Sequence, residues 1–144
     1  MRDFSHTWTW HFDHPPGAVW PLLADSARFN EAVGVPKHEI CEDSRPDGTV
    51  EFYGGFRKGM VRIVWRDEPV NWVEGEWFRH SCAFTSGPFG RMTSHLRLTP
   101  EGRNGCRADY TLEVSARTVM GRAVLSLGFI EKWGGRLDRA AARV

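Results

Sequence analysis

His80 and Tyr110 are the residues whose type and setting could do chemistry. Each interrupts an otherwise apolar alternation: Phe78, His80, Cys82 and Phe84 share one phase, and Cys106, Ala108, Tyr110, Leu112 and Val114 share another. An imidazole titrates near neutrality, and imidazole and phenol both donate and accept hydrogen bonds. A buried pair could therefore move a proton on an enolisable ligand. The competing reading is structural, with a core histidine satisfied by a backbone carbonyl and a tyrosine tip that reaches water. Neither residue sits in a recognisable motif, so the sequence favours binding over catalysis and leaves both as candidates.

Other reactive types point to less. His11 and His14 would fall on opposite faces of a strand, and no further Cys or His cluster completes a coordination shell, so no metal is expected. Cys82 and Cys106 lie on inward phases and read as small hydrophobes rather than nucleophiles. The chain has no Gly-rich phosphate loop, serine elbow or zinc spacing, and no cofactor is expected.

The elements that would hold these residues are mostly strands. Trp8, Trp10 and Phe12 alternate with Thr7, Thr9, His11 and Asp13, a period of two that predicts a strand over Ser5 to His14, ended by Pro15 and Pro16. Ala18 to Ala24 predicts a short helix, and a second one begins at Asp25 or Ser26 and stops at Gly34. An edge strand over Lys37 to Glu42, the turn Arg45-Pro46-Asp47-Gly48, and strands over Thr49 to Phe56 and Met60 to Asp67 follow. The stretch Val70 to Ser86 is read as one long strand with a bulge at Gly75. Gly87-Pro88-Phe89-Gly90 makes a turn into a strand whose inward set is Met92, Ser94, Leu96 and Leu98, and a last strand carries Cys106 to Val114. Arg117 to Val144 predicts one long helix with Val119, Ala123, Leu127, Ile130, Gly134, Leu137 and Ala141 on its buried face. Gly121, Gly128 and Gly135 recur at sevens beside a charged edge, with no reason visible in the sequence beyond a bend or a close backbone approach.

Composition bounds the function. At 144 residues the chain suits a single domain spanning 1–144 with a real core. Nineteen Lys and Arg against eighteen Asp and Glu leave a net charge of +1, which gives no overall footprint for nucleic acid or an anionic membrane. No run approaches the roughly 20 apolar residues of a membrane span, so no integral membrane contact is expected. Cys41, Cys82 and Cys106 are odd in number and unpaired in spacing, and no apolar leader follows Met1, which predicts a cytoplasmic location with reduced thiols. Seven Trp and nine Phe are the outlier: they either fill a core or line a pocket.

The order strand, two helices, six hairpin-linked strands and a long helix resembles the START-related helix-grip superfamily, also called SRPBCC. That group includes polyketide cyclases, coenzyme-Q-binding proteins and pollen-allergen-like carriers. Trp20-Pro21-Leu22-Leu23-Ala24-Asp25, then Arg28-Phe29-Asn30 and Gly34, with Trp72-Val73-Glu74-Gly75 and Gly87-Pro88-Phe89-Gly90, is similar to the SRPBCC-type region found ahead of catalytic domains in bacterial adenylate/guanylate cyclases. The resemblance implies an α+β fold in which a curved antiparallel sheet of seven strands grips the C-terminal helix, with two short helices beside it. It also implies an apolar cavity between sheet and helix that holds a small molecule.

By alternation the cavity lining would be Phe52, Phe56, Val61, Ile63, Trp65, Phe78, His80, Phe84, Met92, Leu96, Tyr110 and Leu112, joined by Leu127 and Ile130 from the helix. The expected partner is a lipid or polyketide-like small molecule, in a carrier or sensor role. The alternatives are an aromatase/cyclase-type enzyme using His80 and Tyr110, and a ligand-free interaction module whose interior is filled. Leu125 and Phe129 fall on the charged side of the terminal helix, where they would mark a docking edge for another domain or subunit.

Overall fold

Residues 105–116 show how the sheet is specified. Cys106, Ala108, Leu112 and Val114 keep 1% exposure or less, while Arg107 between them faces solvent. The computed structural model describes residues 4–24, 39–44, 46–48, 50–58 and 60–126. The strands are β1 (Phe4–Phe12), β2 (Glu39–Ser44), β3 (Val50–Lys58), β4 (Val61–Asp67), β5 (Asn71–Val73), β6 (Trp77–Phe84), β7 (Phe89–Glu101) and β8 (Gly105–Ala116). Two helices are described, α1 (Pro16–Ala24) and α2 (Val119–Ser126).

Seven strands run side by side in the order β1-β8-β7-β6-β4-β3-β2, every neighbour antiparallel, and β5 pairs with β6 off this path. This is the expected meander, with β1 added along β8. Register fixes one inner face across the sheet: Trp8 opposes Tyr110, Tyr110 opposes Leu96, and Leu96 opposes Phe78. A second row joins Met92, Cys82, Asp67 and Phe52 on the same face.

One expected strand divides. Val70 to Ser86 is a hairpin of β5 and β6, closed by the Glu76 amide donating to the Val73 carbonyl at 3.0 Å. Gly75, expected as a bulge, has a φ of 78°, which a type II turn requires at its third residue. The register shift lies instead between Phe89 and Met92, where a Cβ on Gly90 would stand 3.0 Å from Ser115 Oγ.

The helices close the inner face over β7 and β8. In α1, Pro16 takes the first position, the Pro15 carbonyl accepts from the Ala18 and Val19 amides, and Val19 and Leu23, four apart, are buried. The expected start of the terminal helix at Arg117 moves to Val119, because Thr118 Oγ1 accepts the Gly121 amide at 3.0 Å as an N-cap. The buried side of α2 is also not the expected one. Gly121 and Leu125 are buried, whereas Val119 is 86% exposed and Ala123 faces solvent. The cause is a close approach: a Cβ on Gly121 would run into the Pro88 carbonyl oxygen, so only a glycine lets this turn sit against the loop at 85–88. Leu125, at 4% exposure, belongs to the core and offers no exposed docking edge. The expected second short helix, the remainder of the terminal helix, and Leu127, Phe129 and Ile130 lie outside the described residues, as do Arg28, Phe29, Asn30 and Gly34.

The core is built from Trp8, Val19, Leu23, Phe89, Leu96, Leu98, Cys106, Ala108, Tyr110, Leu112, Val114 and Leu125. No described helix is long and apolar enough to cross a membrane.

Candidate functional site

A polar row crosses the inner face from β4 to β8. Asp67 ends β4, His80 stands in the middle of β6, Ser94 opposes His80 on β7, and Tyr110 lies on β8. His80 Nε2 is 3.3 Å from Asp67 Oδ1, an ion pair whenever the imidazole is protonated. The Tyr110 hydroxyl donates to Ser94 Oγ at 3.3 Å. Burial pushes the Tyr110 phenol above its ordinary range, and the Ser94 contact offsets part of that push. Tyr110 thus stays a neutral donor at physiological pH.

The partners of both residues differ from those the structural reading named. His80 meets a carboxylate, not a backbone carbonyl, and the Tyr110 tip reaches Ser94. Sequence reasoning missed Asp67 altogether and placed Ser94 on the inward set without assigning it to the site. The signal for Asp67 was available, because it continues the phase of Val61, Ile63 and Trp65.

Aromatic side chains flank the row. Trp65 and Phe84 meet edge-on with centroids 6.0 Å apart, and Phe84 meets Phe89 at 6.1 Å. On the α1 side, Phe78 meets Trp20 edge-on at 6.2 Å. Trp10 stacks on Tyr110 at 6.0 Å, and Trp8 lies tilted to it at 6.1 Å. The Trp65 indole covers its cross-strand partner Gly54, leaving no space for a Cβ there.

The other expected lining residues divide by burial. Ile63, Trp65, Phe78, Phe84 and Met92 are half-buried on the inner face, and Phe52 is 46% exposed near the sheet edge. Leu96 and Leu112, at 1% and 0%, are enclosed on all sides and form packed floor, not open wall. Phe56 and Val61 hold inner-face register positions, while their side chains lie outside the described residues. Cys82, beside Asp67 in register, has its thiol pushed up to about 12, first by burial and then by the Asp67 charge. Burial raises Cys106 as well. Both are protonated near neutrality, as small hydrophobes would be.

Two clefts lie outside this row. One of about 220 Å³ is lined by Phe4, Arg122, Leu125 and Ser126. The other, of about 170 Å³, lies on the outer face among Arg79, Thr93, His95, Thr111 and Glu113. There burial lowers the His95 imidazole, with the Arg97 and Arg79 charges adding to the effect. His11 is also on the outer face, with Nδ1 2.6 Å from Glu101 Oε1. Among the described residues no group of His, Cys, Asp and Glu is placed to hold a metal ion.

The architecture matches solved structures along nearly its full length. The Zhui aromatase/cyclase of Streptomyces sp. R1128 has a TM-score of 0.63 at 16% identity, over 97% of this chain and 94% of that one. The likeness is one of fold. The Mll3558 protein of Rhizobium loti matches that fold with a TM-score of 0.64 at 23% identity, over 98% of this chain and 96% of that one. The TTHA0849 protein of Thermus thermophilus matches at 0.61 and 18%, over 97% and 99%. No family model and no curated protein matches the chain. At such identities the likeness establishes a shared fold and not the chemistry carried on it.

Proposed function

We propose that the protein binds a hydrophobic or amphipathic small molecule, of lipid or polyketide type, on the inner face of the sheet, in a carrier or sensor role. The observation that carries this reading is the row Asp67, His80, Ser94 and Tyr110 set among aromatic and aliphatic side chains of the inner face. An apolar surface with a few convergent polar groups suits a ligand that is mostly greasy and carries one or two hydroxyl or carbonyl oxygens. The fold, shared with an aromatase/cyclase, supports a small-molecule site of this kind. Protein purified from its host and examined by native mass spectrometry is expected to carry an apolar adduct, and fluorescent apolar probes are expected to compete with it. Absence of both signals overturns the reading.

A specific contact favours a second reading. Asp67 beside His80 is an orienting carboxylate beside a base, and Tyr110 supplies a neutral donor that could stabilise a developing enolate. An aromatase/cyclase-type enzyme would use His80 to remove a proton and Tyr110 to hold the oxygen. Turnover of a polyketide-like substrate should then fall about 100-fold or more in His80→Ala. Turnover unchanged in His80→Ala and Tyr110→Phe removes the catalytic assignment and leaves the binding one.

A further inference from the structure

The net charge of +1 conceals a cluster of basic residues at one end of the sheet. The turn between β3 and β4, the loop at 85–88 and the first turn of α2 are joined at one end of the sheet. Thr85 donates its amide to the Val64 carbonyl at 2.9 Å, and Ser86 Oγ donates to the Arg62 carbonyl at 2.8 Å, which fixes the loop to the start of β4. The Arg117 amide donates to the Pro88 carbonyl at 2.8 Å, and Gly121 sits beneath that carbonyl, which fixes α2 to the same loop.

Three large apolar side chains project from this end: Met60 at 102% exposure, Val119 at 86% and Met120 at 71%. Residues 57–66 and 114–126 around them contain Arg57, Lys58, Arg62, Arg66, Arg117 and Arg122 and no Asp or Glu. Arg66 is turned to Glu51 at 3.9 Å, whereas Arg57, Arg62, Arg117 and Arg122 are all exposed. The opposite end is mixed, with the exposed acids Glu74 and Glu76 in the β5–β6 turn and Glu101 at the close of β7, and the exposed Arg103 in the β7–β8 turn.

We propose that this basic, methionine-tipped end docks on an anionic lipid bilayer. Flexible methionines and a valine standing clear of the surface can enter the boundary between headgroups and acyl chains, while the surrounding arginines meet lipid phosphates. The concentration of uncompensated arginines at this end makes it the pole that a negative surface attracts most strongly. A nucleic-acid backbone would use the arginines but give the exposed apolar side chains nothing to bury against. The proposal stands independently of the inner-face ligand site, and its test does not involve that site.

The test is co-sedimentation of the full chain with vesicles of phosphatidylcholine, with and without phosphatidylglycerol, across a range of salt. Binding is expected only with phosphatidylglycerol, and it should weaken as salt rises. Each of Arg57→Gln, Arg62→Gln, Arg117→Gln and Arg122→Gln should lower the partition coefficient about fivefold. Arg57→Lys, which keeps the charge, should preserve it. The double variant Met60→Ser, Met120→Ser should bind more weakly at unchanged charge, and Glu74→Gln at the far pole should not. Circular dichroism establishes that each variant is folded. Failure to bind phosphatidylglycerol vesicles overturns the proposal. So does binding that survives neutralisation of all four arginines, or binding of a DNA duplex that equals vesicle binding and ignores the methionine substitutions.

Discussion

The two halves of the sheet carry the same alternation to different ends. Along β8 the inner-face side chains from Cys106 to Val114 are enclosed, with Cys106, Ala108 and Leu112 at 0% exposure, and Trp8, Leu96 and Leu98 beside them on β1 and β7 are buried too. Along β4 and β3 the equivalent positions are half-buried at Ile63 and Trp65 and 46% exposed at Phe52. The helices account for the contrast, since α1 packs on β7 and α2 on β8. A period of two states which face a side chain takes; it does not state what, if anything, lies over that face. The polar row crosses this boundary, with Tyr110 inside the packed half and Asp67 in the open one.

Truncation should separate the halves most sharply. Leu112→Ala, in the packed half, is expected to cost about 3 kcal/mol in chemical denaturation, and an equal loss in Phe52→Ala would erase the distinction. Gly54→Ala should cost about 2 kcal/mol, because the new methyl group displaces the Trp65 indole. Near-UV circular dichroism should change with it, and an unchanged aromatic signal would show that Trp65 does not lie on the glycine. Tyr110→Phe removes the hydrogen bond to Ser94 and should cost about 1 kcal/mol, detected as a lower melting temperature.

Alkaline pH probes the boundary itself. The Cys82 thiol rises from an ordinary 9.0 to about 12 in the folded protein. Its contribution to stability is therefore whole below pH 9 and is lost as pH rises towards 12, where the unfolded chain ionises and the native one resists. Cys82→Ala should flatten the fall in melting temperature over that range, and an identical slope in both proteins would contradict the burial. Phe52→Ser, in the open half, should change stability by less than about 0.5 kcal/mol.

Much of this was legible in the residue pattern, for reasons that also explain what was not. The inner-face sets of β4, β6, β7 and β8 follow from strict alternation, which a sheet with one buried side enforces. The Val70 to Ser86 stretch misled because a two-strand hairpin and a bulged strand both place a positive φ at Gly75, and periodicity alone does not distinguish them. The face of α2 misled for a tertiary reason. Val119 and Ala123 are the more regular stripe, but the Pro88 carbonyl admits only the glycine side. His80 was identifiable as a polar residue in an apolar row, whereas its partnership with Asp67 depends on how β4 and β6 are registered, and single-strand patterns do not encode that.

The seat beneath Pro88 also orders assembly in time. The first turn of α2 finds its resting place only after the loop at 85–88 has closed, since the oxygen that accepts the Arg117 amide belongs to that loop. The hairpin of β6 and β7 is expected to form before α2 is recruited, so that during refolding the Arg117 amide should acquire protection from hydrogen exchange later than the amides pairing those two strands.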